Sequence, residues 1–357
     1  MKAVVLVGGE GTRLRPLTFT TPKQLLPVAE VTMIERVVSH LAAHGVDDVV
    51  LSMGYRPDAF LSMFPDNRCA GVALRYAVEP TPLDTAGAIR FAAEDAGIDS
   101  TFLVVNGDVL TGMDVGALTE LHRRSGGQAT ISLVPVDDPS RFGVVTTDED
   151  GRVTAFIEKP PAEEAPTNLV NAGTYVLEPG VLDRIAADRR VSIERETFPA
   201  LVAEGSLFAL ASSAYWIDAG TPREYLRANL DLVAGMRGKP APGARSVGEA
   251  AWHIGGPVVD AGSTPGSLIG DAAFVGRKSE VRCSVVGAGA RVEDAIVSGS
   301  VLLPGAVVHR GATVTDSILG AGAVVGRGAT VTGLAVVGDA VRVLPGAHLD
   351  GVRMPAA

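Results

Sequence analysis

At 357 residues, 46% of them hydrophobic, the chain is long enough for two domains and can supply a sizeable core, while 42 glycines and 22 prolines imply many turns. A net charge of −10 excludes a general nucleic-acid surface, so local cationic clusters are expected to serve small anions. Cys69 and Cys283 match neither a disulfide framework nor a metal knuckle and read as buried free thiols; no apolar run has the length of a signal peptide or a membrane span, so a soluble cytoplasmic protein is expected.

The first apolar run, residues 3–7, breaks into Gly8-Gly9-Glu10-Gly11-Thr12-Arg13-Leu14-Arg15-Pro16. This is the pattern of a buried strand opening into a loop that can approach a ligand closely, because glycine has no Cβ. Backbone N–H groups in such a loop cradle phosphate, and Arg13 and Arg15 add positive charge. It is not a Walker loop, since Gly11 is followed by Thr12-Arg13, nor a dinucleotide fingerprint, since Leu14 stands at the third glycine position. Further strands are predicted over 48–52, 73–77, 102–105, 129–134 and 143–146, and helices over 34–43, 57–63, 86–93, 115–125 and 221–233. The alternation predicts an α/β domain over 1–235, Rossmann-like, with a mixed, mostly parallel sheet covered on both faces. Ligands on such sheets lie beyond the carboxyl ends of the strands, where Gly8 and Asn106-Gly107-Asp108 fall.

Asp108, at a strand end beside a phosphate loop, suits Mg²⁺, which takes one or two carboxylates, waters and phosphate oxygens. Asp218 in Tyr215-Trp216-Ile217-Asp218 offers a second carboxylate, or a cap for the helix that follows. Glu158-Lys159-Pro160 reads either as a solvated surface pair or, with Gly143 and Asn171, as a sugar-phosphate site: glycine admits the ring, Asn171 and Glu158 bind hydroxyls, and Lys159 meets the phosphate.

Residues 236–250 read as a linker. Beyond it, over 251–357, Val301, Val307, Thr313, Leu319, Val325, Val331, Val337, Val343 and Leu349 recur every six residues, with an earlier rhythm at Ile269-Gly270 and Val275-Gly276 and slips near 281–302. A six-residue period with small corner residues marks a parallel β-helix. Its coil faces suit self-association, so a homo-oligomer through this domain is expected. His253, His309 and His348 raise acyl transfer as a rival, but no paired nucleophile or acceptor accompanies them.

In order, the glycine loop, Pro22-Lys23, Glu79…Thr85-Ala86-Gly87, Asn106-Gly107-Asp108, Phe142-Gly143-Val144, Glu158-Lys159-Pro160, Asn171-Ala172-Gly173, Ser192-Ile193-Glu194-Arg195-Glu196-Thr197-Phe198-Pro199, Trp216-x-Asp218 and the hexapeptide tail resemble the GDP-mannose pyrophosphorylases (mannose-1-phosphate guanylyltransferases) of the sugar-1-phosphate nucleotidylyltransferase superfamily. The resemblance implies a nucleotidyltransferase domain followed by a left-handed β-helix, and transfer of a nucleotidyl group from GTP to mannose-1-phosphate with release of pyrophosphate. It implies nucleotide contacts by Leu6, Gly8, Gly9, Gly11, Thr12, Glu79, Asp84, Gly87 and Asn106. Gly107, Gly143, Glu158 and Asn171 would bind the sugar phosphate, Arg13, Lys23 and Lys159 would be catalytic, and Asp108 and Asp218 would hold Mg²⁺. UTP- or dTTP-dependent transfer to glucose-1-phosphate, and a non-catalytic nucleotide-sugar-binding homologue, are the alternatives. Where relatives read Glu-Pro-Leu-Gly-Thr-Ala-Gly, this chain has two extra residues and Asp84 in place of the glycine. Asp84 and Glu79 could accept from guanine N1–H and N2–H₂, or Asp84 could cap the helix that follows it.

Overall fold

The protein is described from a computed structural model covering residues 1–54, 57–187, 189–260 and 262–356. Its residues group into two compact units that do not follow chain order: Met1–Gly9 with Ile34–Trp216, and Glu10–Met33 with Ile217–Ala357.

The first unit is built on a mixed sheet. Strand β1 (Lys2–Leu6) runs parallel to β2 (Asp48–Met53) on one side and to β4 (Phe102–Asn106) on the other, and β3 (Val72–Val78) extends the parallel half from β2. Val4, Val50 and Val104 share one register row and are fully buried, as continuous aliphatic strands must be when helices cover both faces. The covering helices include α1 (Met33–Ala43), α2 (Pro57–Met63), α3 (Asp84–Asp95) and α4 (Val115–Ser125), within one or two residues of the sequence expectation at every end. Asp114 caps α4 by accepting from Ala117 N, and Gly126 closes it in the left-handed region.

Across β4 the sheet turns antiparallel. Strand β8 (Leu169–Leu177) pairs antiparallel with β4, with β5 (Ala129–Pro135) and, at Val170, with β6 (Gly143–Thr147); β6 forms a hairpin with β7 (Val153–Glu158), and β9 (Leu207–Ala211) lies parallel to β5. The register of β8 on β5 shifts between Asn171 and Tyr175, around Gly173 at φ +76. Such a bulge re-aims a strand, and here it falls within the Asn171-Ala172-Gly173 motif. Beneath this half, Tyr175 and Phe156 pack on Phe198, with ring centroids 5.1 and 5.4 Å apart. Phe198 opens α5 (Phe198–Ala203), preceded by a π-helical turn over Ile193–Thr197.

The second unit holds a small hairpin of Pro27–Val28 and Val31–Thr32, helix α6 (Pro222–Val233) capped by Thr221, and a β-helix. Parallel strands climb in three sheets through the rows starting at Trp252–Leu268, Val258–Phe274 and Glu280–Ile296. The interior is a column of aliphatic and alanine side chains from Ile269 to Val343. It does not keep one hexapeptide phase. Leu302, Val308 and Val314 point inward, one residue later than the expected Val301, Val307 and Thr313, while Leu319, Val325, Val331, Val337 and Val343 hold the expected phase. A five-residue step from Val314 to Leu319 absorbs the difference at the Ser317 corner. Ser267, Ser284, Ser300 and Ser317 stack there, each fully buried; the hydroxyls of Ser267, Ser284 and Ser300 accept from the backbone N–H of the next serine in the column at 3.1 to 3.2 Å. Within 236–250, Arg245–Gly248 is a strand antiparallel to Ala251–His253.

Candidate functional site

In the first unit, candidate residues gather at the carboxyl ends of the parallel strands. Gly107 N donates to the Leu6 carbonyl at 2.9 Å, locking the loop after β4 onto the end of β1. A Cβ at Gly107 would stand 2.8 Å from the Leu6 oxygen and from Val7 Cγ1, so the two loops can cross only because this residue has no side chain. Gly9 adopts φ +100 with nothing within 4 Å of where its Cβ would be, leaving its backbone open to a ligand. Asp108 follows Gly107 directly and is half-buried.

Glu79 leaves the end of β3 and its carboxylate faces Gly8, 4.0 Å from the position a Gly8 Cβ would take. It accepts from Leu83 N at 3.0 Å and from Ser52 Oγ at 3.4 Å. The extra residues between Glu79 and Thr85 are thus folded back over their own glutamate. Asp84 behaves differently. It sits at φ +63 as the first residue of α3, its Oδ1 accepts from Thr85 N at 2.9 Å and its other oxygen is 3.8 Å from Arg190. Leu83, not Asp84, is the N-cap of α3, and no side chain caps it, so the expected cap by Asp84 is absent. Gly87 is buried, with Leu83 Cβ 2.8 Å from where its own Cβ would lie. Thr85 Oγ1 donates to Glu194 and accepts from Ile193 N, so the π-helical turn holds the start of α3. Sequence reasoning missed the Thr85–Glu194 contact because the partners lie 109 residues apart.

The sugar-phosphate candidates gather on β6, β7 and β8. Gly143 pairs in register with Glu158, and a Cβ there would come within 2.6 Å of the Phe156 ring and 3.1 Å of Glu158 Oε2. Asn171 accepts from Gly173 N and donates to Tyr175 Oη at 2.8 Å. Asn106 packs against Gly173, its Nδ2 2.6 Å from the position of a Cβ that glycine lacks. Lys159, at φ +52, is held by its amide to the Phe142 carbonyl, and its ammonium lies 2.9 Å from Glu158 Oε1. Glu158 is the more buried of the two, so Lys159 Nζ is an exposed cation on a fixed carboxylate. Phe142 stacks edge-on to Trp216, whose Nε1 donates to Ala172 O.

The second unit brings its own cluster together. Gly11, at φ +62, starts a 3₁₀ turn over Thr12–Leu14, and its carbonyl accepts from Thr18 Oγ1 at 2.8 Å. The space beside Gly11 is filled by Thr18 and by Lys23 Cβ, 3.0 and 3.3 Å from a would-be Cβ. Arg13 and Asp218 converge on Gly220: a Cβ there would meet Asp218 Oδ1 at 2.8 Å and Arg13 Nη2 at 3.0 Å. Gly220 N donates to the same Asp218 oxygen at 2.9 Å. Neither Thr18 nor Gly220 carries a motif that singles it out in the sequence. Arg15, expected to add charge to the loop, instead pairs with Glu10 at 2.8 Å and lies over the Phe19 ring. Among the described residues no group of three or more His, Cys, Asp or Glu is arranged for a metal.

Two family models cover the chain, nucleotidyl transferase over residues 2–235 and the GMPPB C-terminal domain over 261–355. A mannose-1-phosphate guanylyltransferase of Mycobacterium tuberculosis is 42% identical over 86% of this chain and 83% of that protein. The chain belongs to the mannose-1-phosphate guanylyltransferase family of nucleotidyl transferases. Mannose-1-phosphate guanylyltransferase 1 of Arabidopsis thaliana is 39% identical over 77% of the chain and 75% of its own length. Among solved structures, HddC from Yersinia pseudotuberculosis aligns with a TM-score of 0.56 and 29% identity, covering 64% of this chain and 97% of that one. No helix among the described residues is long and apolar enough to cross a membrane.

Proposed function

We propose that the chain transfers a guanylyl group from GTP to mannose-1-phosphate, giving GDP-mannose and pyrophosphate. The likeness to mannose-1-phosphate guanylyltransferases along most of both chains carries the choice of substrates. A phosphate oxygen of the sugar-1-phosphate attacks the α-phosphorus of GTP. The bond from that phosphorus to the β-bridging oxygen breaks, and pyrophosphate departs with its electron pair. Such transfers need alignment and charge neutralisation rather than a covalent intermediate.

The residues divide that labour. Open backbone at Gly8 and Gly9, with Gly11 and Thr12 at the start of the 3₁₀ turn, receives the triphosphate. Arg13 and Lys23 neutralise charge growing on the α-phosphate and leaving group. Glu79 reads guanine; its carboxylate accepts two hydrogen bonds already and retains lone pairs. Asp84, engaged with Thr85 N and near Arg190, supports the helix start instead. Gly143 and Asn171 admit the sugar, and Lys159 exchanges its contact with Glu158 for the sugar phosphate.

Mg²⁺ is the proposed cofactor. Asp108 and Asp218 are hard oxygen donors of the kind it takes, and the close fit of the Asp218 carboxylate over a glycine leaves space that a larger residue at 220 would fill. The ion would supply charge neutralisation for the phosphates. Self-association through the β-helix belongs to the same proposal.

The test measures pyrophosphate release with Mg²⁺ for GTP, UTP, dTTP, ATP and CTP against mannose-, glucose- and N-acetylglucosamine-1-phosphate. Dominant turnover of GTP with mannose-1-phosphate is expected. Dominance of UTP or dTTP with glucose-1-phosphate overturns the substrates and keeps the chemistry. Silence with every pair, while nucleotide-sugar still binds, overturns the enzyme.

A further inference from the structure

The segment that carries Arg13 and Lys23 is tied to the β-helix through a half-buried carboxylate that the mechanism above does not use. The hairpin of Pro27–Val28 and Val31–Thr32 turns on Ala29 and Glu30, both in the left-handed region at φ +47 and +70. Two consecutive non-glycine residues there are unusual, and such backbone persists where its surroundings hold it. What holds this turn is specific. Ala29 N donates to Oδ1 of the fully buried Asn229 at 2.7 Å, and the Tyr225 hydroxyl donates to the Pro27 carbonyl, both from α6. Glu30 reaches the other way and accepts from Ala288 N, on a β-helix coil, at 2.9 Å. The coil below is shaped for it: a Cβ on Gly270 would lie 2.7 Å from the same Glu30 oxygen.

No cation pairs with Glu30 among the described residues, and burial pushes its carboxyl above the ordinary range. An apolar side chain packed at this place would avoid that desolvation cost, so the carboxylate is not explained by stability alone. A second anchor lies at the near end of the segment. The Thr20 hydroxyl donates to Asp339, and Pro16 rests on Gly338, 3.1 Å from where its Cβ would be. Lys23 lies between the two anchors, Arg13 three residues before Pro16, and Thr18 Oγ1 joins the anchored stretch to the Gly11 carbonyl.

We propose that Glu30 is a positioning residue: by accepting the Ala288 amide it fixes the segment 10–33 on the β-helix and thereby sets the geometry in which Arg13 and Lys23 meet the triphosphate. The β-helix then contributes to catalysis without touching substrate. This rests on the nucleotidyl-transfer reading above. The groups assigned to the sugar phosphate belong to the other compact unit and have their own supports, so loosening this anchor acts on one substrate selectively.

The experiment compares the full-length protein with its Glu30→Ala and Glu30→Gln variants. Three quantities are read: kcat/KM for GTP, KM for mannose-1-phosphate, and equilibrium affinity for GTP by titration calorimetry without sugar phosphate. Glu30→Ala is expected to lower kcat/KM for GTP about tenfold and GTP affinity about fivefold, leaving KM for mannose-1-phosphate unchanged. Glu30→Gln, whose carbonyl oxygen accepts the same amide, stays near wild type. Thr20→Val, cutting the second anchor at exposed side chains, gives the same one-sided loss and serves if Glu30→Ala does not fold. Equal losses for both substrates, a loss that Gln does not rescue, or normal GTP parameters in a folded Glu30→Ala protein overturn the proposal. An inactive wild type instead strikes the proposed function, and the affinity ratio still reads the anchor.

Discussion

Asp108 stands next to a glycine that cannot be replaced without moving the Leu6 carbonyl, so its carboxylate is presented by rigid backbone rather than by a flexible loop. Asp108→Asn keeps the shape and removes the charge. Its kcat is expected to fall about a hundredfold or more with GTP affinity little changed; near-normal turnover in steady-state assays would remove Asp108 from the chemistry. Lys159 is poised differently, on Glu158, and Lys159→Ala should raise KM for the sugar phosphate by at least about tenfold, the worth of a lost hydrogen bond to a charged group. The two thiols diverge as well. Cys69 is buried as the sequence suggested, but Cys283 is exposed, because it occupies a β-helix corner at φ +45. Burial, with Glu35 and Asp66 nearby, pushes the Cys69 thiol up to about 12, whereas the ordinary value is 9.0. Its protonated form stabilises the fold below the unfolded thiol's pKa, and that contribution is lost as pH climbs from about 9 towards 12. Mass spectrometry after iodoacetamide treatment at pH 8 should find Cys283 modified well before Cys69.

At the scale of elements, the buried serine column makes the β-helix sensitive to mutation. Ser300→Ala removes the acceptor for Ser317 N and the donor to Ser298 O inside a fully buried corner. A loss of about 1–3 kcal/mol is expected from denaturant titration, because an unpaired buried amide keeps its desolvation cost; a change within error would mean that the corner rearranges. These serines also show where sequence reading stops. Parallel strands such as β1 and β4 announce themselves, since valine runs ending in glycine leave few other structures. The hexapeptide period likewise revealed the β-helix, but the expected phase at Val301 and Val307 was one residue early, because the adjacent Leu302 and Val308 are equally aliphatic and are the ones that face the interior. Only the five-residue step to Leu319 tells the two phases apart. Site residues with a backbone purpose, Gly107 and Gly143, stood out for the same reason: a missing side chain leaves a mark in composition. Glu30 and Gly220 did not, because the meaning of Glu30 comes from Gly270 and Ala288 and that of Gly220 from Arg13, each more than two hundred residues away and in no fixed spacing.

At the scale of the whole molecule, neither compact unit is a continuous stretch of chain. Residues 10–33 leave the first unit immediately after Gly9, and their anchors are Asn229, Ala288 and Asp339. A polypeptide is made from its amino end, and domains commonly fold as they emerge. The segment bearing Arg13 and Lys23 is therefore synthesised before these three anchors, and almost two hundred further residues are added before Asn229 is reached. Nascent chains arrested before residue 229 should leave 10–33 open to limited proteolysis, and protection should appear in steps as α6, the Ala288 coil and the Asp339 coil leave the ribosome. The maturation of this phosphate-handling segment is thus clocked by translation, and slowing synthesis between residues 229 and 339 should prolong the interval in which the nascent enzyme is folded in part and idle.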